Sequence, residues 1–267
     1  MPRPTVEELS TKLLDFVQDK QNGIELAEYD ANWRKSGVYA VLDCVFSAQA
    51  KFDTVVVPTL KRFSEHSALE DREELTFTEF LNFVRGEQIG RPAEVRFAEV
   101  ARDVFGNSQK ISGRTKVEVA YDVCEFFASQ GYETKAALQA LPSGLPFTCQ
   151  HSGEPSELEK QIMNRMVNGM AAEGKVRGMG LALGAYLLIC LGRTDFVKPD
   201  TLLLRLVGRI GASDWQPKSG DFQDYLLVRQ AISCAAERLG YPAAGLDNAL
   251  WRYETDRSSG KLSRSVQ

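Results

Sequence analysis

The residues best placed to do chemistry lie between Lys175 and Arg209. Gly178-Met179-Gly180 falls between the end of one helical pattern and the start of an apolar one. Such a turn leaves backbone N–H groups free at a helix N-terminus, where they can bind a phosphate. Glycine suits the place twice, because it accepts positive φ and lets another backbone approach closely. After the apolar helix and the Gly192 turn comes Phe196-Val197-Lys198-Pro199-Asp200-Thr201, which sets an Asp at the mouth of the next helix. From 174 to 218, seven basic residues (Lys175, Arg177, Arg193, Lys198, Arg205, Arg209 and Lys218) stand against Asp195, Asp200 and Asp214, a local excess of four positive charges. Taken alone, the glycines are equally an ordinary helix–helix turn, and Asp200 a good N-cap for the helix from Thr201.

The whole chain has the opposite sign. Its 267 residues carry 32 Lys plus Arg against 36 Asp plus Glu, a net charge of −4. That excludes a surface uniformly attractive to nucleic acid, because phosphate binding draws most of its affinity from Lys and Arg. Any such role must rest on local charge. With 43% hydrophobic and 25% charged residues there is apolar material for one large domain or two lobes, and disorder is excluded for most of the length. The N-terminus MPRPTVEELSTK has neither the apolar core of a signal peptide nor the bias of a transit peptide, so a cytoplasmic chain is expected. The longest apolar run, Leu181 to Leu191, is interrupted by Gly184 and falls well short of the roughly 20 residues that span a bilayer. Cys44, Cys124, Cys149, Cys190 and Cys234 lie far apart with no CxxC pair, so reduced core thiols are expected, with no metal site and no disulfide framework.

The elements that must position these residues read as helices. Thr5 with Glu8, Thr76 with Glu79, and Ser156 with Glu159 are capping boxes, each before an amphipathic pattern. Further helices are predicted over Ser36 to Gln49, Thr54 to Phe63 with Pro58 placed to kink it, Arg91-Pro92 to Val104, and Thr115 to Ser129. A short piece falls at Leu138 to Leu141, followed by a Pro-, Gly- and Ser-rich loop from Pro142 to Pro155. Leu181 to Leu191, Thr201 to Val207, Asp221 to Leu239 and Gly245 to Tyr253 complete the set, and the polar tail from Asp256 should fray. Period-two strands are missing, so the fold class is all-α.

VRGMGLALGA at 176–185 and KPDT at 198–201 resemble two motifs of the helix-hairpin-helix DNA glycosylase superfamily, which includes endonuclease III and the adenine glycosylases. There a hairpin of the form LPGVGRKTA is followed, after one helix, by a VDTH-type segment bearing the catalytic Asp. VLDCVFSAQAKFDTVVVPTLKRF at 41–63 resembles the family's first-lobe helix pair with its Ser-Ala-Gln motif. SGRTKVEVAYDVC at 112–124 is similar to the segment that begins the helix before the hairpin. Together the likeness covers roughly residues 30 to 215.

The resemblance implies an all-α, two-lobed fold with an interlobe active-site cleft. The expected division is 1–35 plus 205–256 as a lobe of N- and C-terminal helices, 36–204 as the hairpin-containing region, and 257–267 as a disordered tail. Asp200 takes the place of the catalytic carboxylate, which stabilises the oxocarbenium-like sugar or orients a water. Asp43 stands where the adenine glycosylases have the Glu that protonates the departing base, and burial would raise its pKa toward that role. A solvated helix stripe is the plainer alternative for it. Gly178, Gly180, Arg177 and Lys198 would contact backbone phosphate. Ser47 and Gln49 match the motif whose Gln fills the gap left by a flipped nucleotide, although a helix-ending Gln with no role fits as well. Trp33, Tyr39 and Tyr186 could stack on the flipped base or simply pack in the core.

Ala182 stands where bifunctional members carry a nucleophilic Lys, so no Schiff base can form and a monofunctional enzyme is implied. Of the family's four cluster cysteines only Cys234 falls in the corresponding region, so no iron–sulfur cluster and no other cofactor is expected. The expected function is a DNA N-glycosylase that acts as a monomer on double-stranded DNA, excises a modified or mispaired base and leaves an abasic site, with no membrane partner. The base stays open among oxidised purine, alkylated base, mismatched adenine and a bulky modified pyrimidine such as some viruses place in their DNA. The biological role stays open with it, between repair and defence against foreign DNA. A non-catalytic hairpin protein that binds DNA, and a helical protein–protein scaffold, are the alternatives from other classes.

Overall fold

Most helices in this chain begin where a short polar side chain can close the first turn. The structure, a computed structural model, describes residues 3–86, 93–145, 153–211 and 215–258. Thr5 and Glu8 cap each other reciprocally at the start of α1 (Val6–Gln18). Ser36 accepts the Tyr39 N–H and opens α2 (Gly37–Phe46), which is followed by α3 (Val57–Ser67), α4 (Phe77–Gly86) and α5 (Ala93–Asp103). Thr115 opens α6 (Lys116–Ala128), Thr134 opens α7 (Lys135–Gln139) and Ser156 opens α8 (Glu157–Glu159). Then come α9 (Leu181–Cys190), α10 (Thr201–Gly211), α11 (Phe222–Leu239) behind its Asp221 cap, and α12 (Ala243–Ser258). Among the described residues the only strands are β1 (Lys110–Ile111) and β2 (Arg114–Thr115), an antiparallel pair turned by Ser112-Gly113. The chain is therefore all-α with one small hairpin.

Two stretches wind wider than an α-helix, Phe52–Val56 before α3 and Lys160–Val167 after α8. Pro58 does not kink a helix. It sits in the first turn of α3, where its missing N–H would have no partner anyway, and the irregularity falls in the wide turn before it. Residues 146–152 of the expected loop, together with Cys149, Arg91, Pro92 and Asp214, lie outside the described residues. So does most of the tail, 259–267. The four described cysteines, Cys44, Cys124, Cys190 and Cys234, are buried and stand in no disulfide. No helix of the described residues is long and apolar enough to cross a membrane.

The chain forms two compact units, one from 1–31, 144–155 and 193–267, the other from 32–143 and 156–192. In the first, Leu9, Leu13 and Val17 of α1 pack with Leu203 and Val207 of α10, Ile232 of α11 and Leu246 and Leu250 of α12. Val197 belongs to the same core, and the segment from Arg193 onward falls in this unit. Glu254 takes Arg257 one turn later, so α12 runs to Ser258, past the Tyr253 end that periodicity suggests.

In the second unit α2 is buried along its whole length and packs on α6 and α9. Phe105 stacks between Phe46 and Phe63, with ring centroids at 5.3 and 4.8 Å. Gly184 lets α9 approach the wide-wound segment, since a Cβ there would stand 2.7 Å from Val167 Cγ2 and 3.0 Å from Met163 Sδ.

Candidate functional site

In the second unit the candidate residues lie at three places. The first is Asp43, fully buried on α2. A carboxylate taken into an apolar helix costs several kcal/mol unless it is paired and hydrogen-bonded, so its partners must be built in. Trp33 Nε1–H donates to Oδ2 at 3.1 Å, Arg34 Nε–H donates to Oδ2 at 2.7 Å, and the Tyr186 hydroxyl donates to Oδ1 at 3.3 Å. Burial raises the Tyr186 hydroxyl well above the usual tyrosine range, helped by Cys190, Asp43 and Cys44, which keeps it a donor. Asp43 is thus on no solvated stripe, and the structure brings it together with two of the three aromatic candidates. The third, Tyr39, gives its hydroxyl to the Leu69 carbonyl at 2.8 Å and rests its ring 5.8 Å from that of Phe63. Arg34 is a site residue that sequence reasoning misses. It lies outside any helical pattern, and its one signal is a basic residue next to Trp33.

The second place is the end of α2. Ser47 donates its hydroxyl to the Cys44 carbonyl at 2.7 Å and stands at the C-cap. Gln49 is exposed and has φ of +52°, a left-handed conformation that a non-glycine side chain adopts only under constraint. Lys116, buried at the start of α6, holds the backbone just before Gln49. Its ammonium donates to the Phe46 carbonyl at 2.9 Å, the Ala48 carbonyl at 2.6 Å and Gln109 Oε1 at 2.6 Å. Three donors meet three oxygens. Burial pushes the amine down to about 8.

The glycine turn belongs to this unit too. The Met179 N–H donates to the Val176 carbonyl at 3.1 Å, and Gly178 has φ of +107°. A Cβ on Gly178 would lie 2.9 Å from Val119 Cγ2, so glycine is needed there for conformation and for space. Gly180 differs: it is the exposed N-cap of α9, with φ of −102° and no side-chain cap bond, and a Cβ there would meet nothing within 4 Å. Arg177 leans on the β1–β2 turn, donating to the Ser112 carbonyl at 3.1 Å, while its own carbonyl accepts from Arg114 at 3.1 Å.

Asp200 and Lys198 belong to the first unit. Asp200 is half-buried, and its Oδ1 accepts the N–H groups of Leu202 and Leu203, both at 3.0 Å, at the mouth of α10. Both cap bonds use Oδ1, which leaves Oδ2 outside the cap. The Lys198 N–H donates to Oδ2 of Asp247 at 3.0 Å. Asp247 is a buried acid on α12 that carries no sequence signal, because it falls on an Ala- and Leu-rich helix far from any motif. Burial pushes its carboxyl up to about 8, the Asp200 charge adds to the rise, and the Lys198 N–H and side-chain charge oppose it. Some of the local positive charge is already committed. Arg205 and Arg209 bond Glu254, which is fully buried, and Arg193 pairs with Asp195 at 2.9 Å. Among the described residues no group of three His, Cys, Asp or Glu side chains could hold a metal ion.

A family model described as a domain of unknown function (DUF8548) matches residues 11–255. No curated protein and no solved structure matches the chain.

Proposed function

The chain belongs to the DUF8548 family, whose description names no activity, and from its site residues we propose that it is a monofunctional DNA N-glycosylase of the helix-hairpin-helix kind. The observation that carries this is the split use of Asp200. One oxygen caps α10 and fixes the side chain, and the other stands outside the cap on a half-buried carboxylate. A carboxylate so held can oppose the positive charge that develops on a deoxyribose as its base departs. In that step a water oxygen bonds C1′, the N-glycosidic electron pair leaves with the base, the base gains a proton, and the water's remaining hydroxyl stays on the sugar of an abasic site. Ala182 offers no amine for a covalent sugar adduct, so the strand is not nicked by that route.

The uncapped N-terminus of α9 behind exposed Gly180 suits a backbone phosphate. Exposed Gln49, held in its left-handed turn, suits a side chain that enters a duplex. Asp43, surrounded by three donors, suits holding the Trp33 and Tyr186 rings better than delivering a proton.

The test is a panel of duplexes carrying oxidised, alkylated, mismatched and bulky modified bases, with released base and abasic DNA read by mass spectrometry. Base release is expected for at least one member. Asp200→Asn should lower it about 100-fold or more, while the Asn still caps α10. No release from any duplex, with Asp200→Asn indistinguishable from wild type, overturns the proposal. A second reading is favoured by the two cap bonds, which by themselves give Asp200 a structural purpose: a hairpin protein that binds DNA without cleaving it. It predicts salt-dependent duplex binding that Asp200→Asn leaves unchanged, with no abasic product.

A further inference from the structure

Asp247 is a buried acid that touches the segment carrying Asp200. It is 7% exposed and lies 47 positions further along the chain, on a helix that packs against α10. Two bonds tie the start of α12 to the approach to α10: the Lys198 N–H to Asp247 Oδ2 at 3.0 Å, and the Ala244 N–H to the Thr194 carbonyl at 2.9 Å. Further along the same pair of helices, Glu254 of α12 grips Arg205 and Arg209 of α10. The stretch from Thr194 to Asp200 has no regular secondary structure of its own, so its course depends on such ties.

We propose that Asp247 is a positioning residue for Asp200: fixed in α12, its carboxyl holds the backbone at Lys198 and so sets where Asp200 stands at the mouth of α10. This rests on Asp200 being the catalytic carboxylate. Asp247 performs the task in its protonated form, because burial and the Asp200 charge hold its proton up to about pH 8. Once ionised, it places a second negative charge beside Asp200 in a medium that screens poorly. The other charges near α12 are engaged elsewhere. Glu254 is taken up by Arg205, Arg209 and Arg257, and Arg229 of α11 turns to Asp195 and lies 3.8 Å over the Phe196 ring. Asp200 and Lys198 are the charged residues that act on Asp247.

Two variants and two readouts test this. Base release by wild type should fall as pH rises through about 8, and that fall should vanish in Asp247→Asn, whose amide oxygen can still accept the Lys198 N–H. Asp247→Ala, which loses the tie, should lower kcat about tenfold or more with KM little changed, the signature of a misplaced reacting group. Separately, the 13C titration of the Asp247 carboxyl should shift down in Asp200→Asn, where the neighbouring charge is gone. An unchanged alkaline fall in Asp247→Asn overturns the proposal, and so does full kcat in Asp247→Ala; if the Ala variant does not fold, the Asn profile decides. If wild type releases no base at all, the catalytic reading of Asp200 fails and the positioning role goes with it, whereas a downward carboxyl shift in Asp200→Asn would still establish that the two acids are coupled. Base release that depends on Asp200 with no carboxyl shift and no change in profile would leave the glycosylase standing and remove Asp247 from it.

Discussion

A single buried charge can dictate the identity of everything around it, and Asp43 is the case here. Its helix is otherwise apolar, so each oxygen must find donors from elsewhere in the same unit, and Trp33, Arg34 and Tyr186 supply them. Removing one member of a buried ion pair leaves its partner charged and unmatched, which costs about 3–5 kcal/mol. Asp43→Ala is therefore expected to lose about that much stability in urea unfolding, because Arg34 is four-fifths buried. Stability equal to wild type would show that Arg34 finds water as readily as it finds Asp43. Asp200 is a contrasting carboxylate. Its bonds among the described residues run to N–H groups of its own helix, so Asp200→Asn should change the melting temperature little while changing chemistry greatly.

At the scale of elements, two turns carry the candidate contacts, and each is fixed by one residue. The turn after α2 is pinned by Lys116, whose ammonium satisfies two carbonyls and an amide oxygen. Lys116→Met should cost about 2–3 kcal/mol, as expected when buried acceptors lose a charged donor, and should release Gln49 from its left-handed conformation. Urea unfolding measures the first effect, and chemical-shift analysis of residues 47–50 the second. The turn before α9 is fixed by Gly178. Gly178→Ala should cost about 1–2 kcal/mol, since a Cβ there meets both a positive φ and Val119. Gly180→Ala meets neither and should leave stability within about 0.5 kcal/mol of wild type. The pair separates fold from function. If α9 grips a phosphate, Gly180→Ala weakens duplex binding without loosening the protein; unchanged affinity would remove phosphate from that helix end.

For the molecule as a whole, two buried groups should shape the pH dependence of stability in opposite directions. Asp247 keeps its proton in the folded state up to about 8 but loses it near 3.8 when unfolded, so the folded state binds more protons between those values and stability falls as pH rises across them. Lys116 has the reverse arrangement, about 8 folded against 10.5 unfolded, so stability rises with pH over that range. Their joint contribution has its minimum near pH 8. Melting temperatures from pH 5 to 10 should show Asp247→Asn gaining relative to wild type as pH rises toward 8. A constant difference across the series would mean that Asp247 ionises as freely folded as unfolded.

The helices are legible in the sequence because their causes are local. A capping residue followed by apolar side chains at spacings of three and four specifies a helix over a dozen residues, and Thr5 with Glu8, Ser36, Thr115 and Asp221 start helices within a residue of where that pattern puts them. The need for glycine at Gly178 and the cap at Asp200 follow from the same short-range logic. What tertiary structure decided were the partners of buried charge. Arg34 and Tyr186 reach Asp43 from separate segments, Lys116 reaches the end of α2 across 70 residues, and Asp247 meets the Asp200 segment across 49. Sequence states that a buried charge needs compensation; only the packed chain shows which distant side chain lies within hydrogen-bonding distance to provide it.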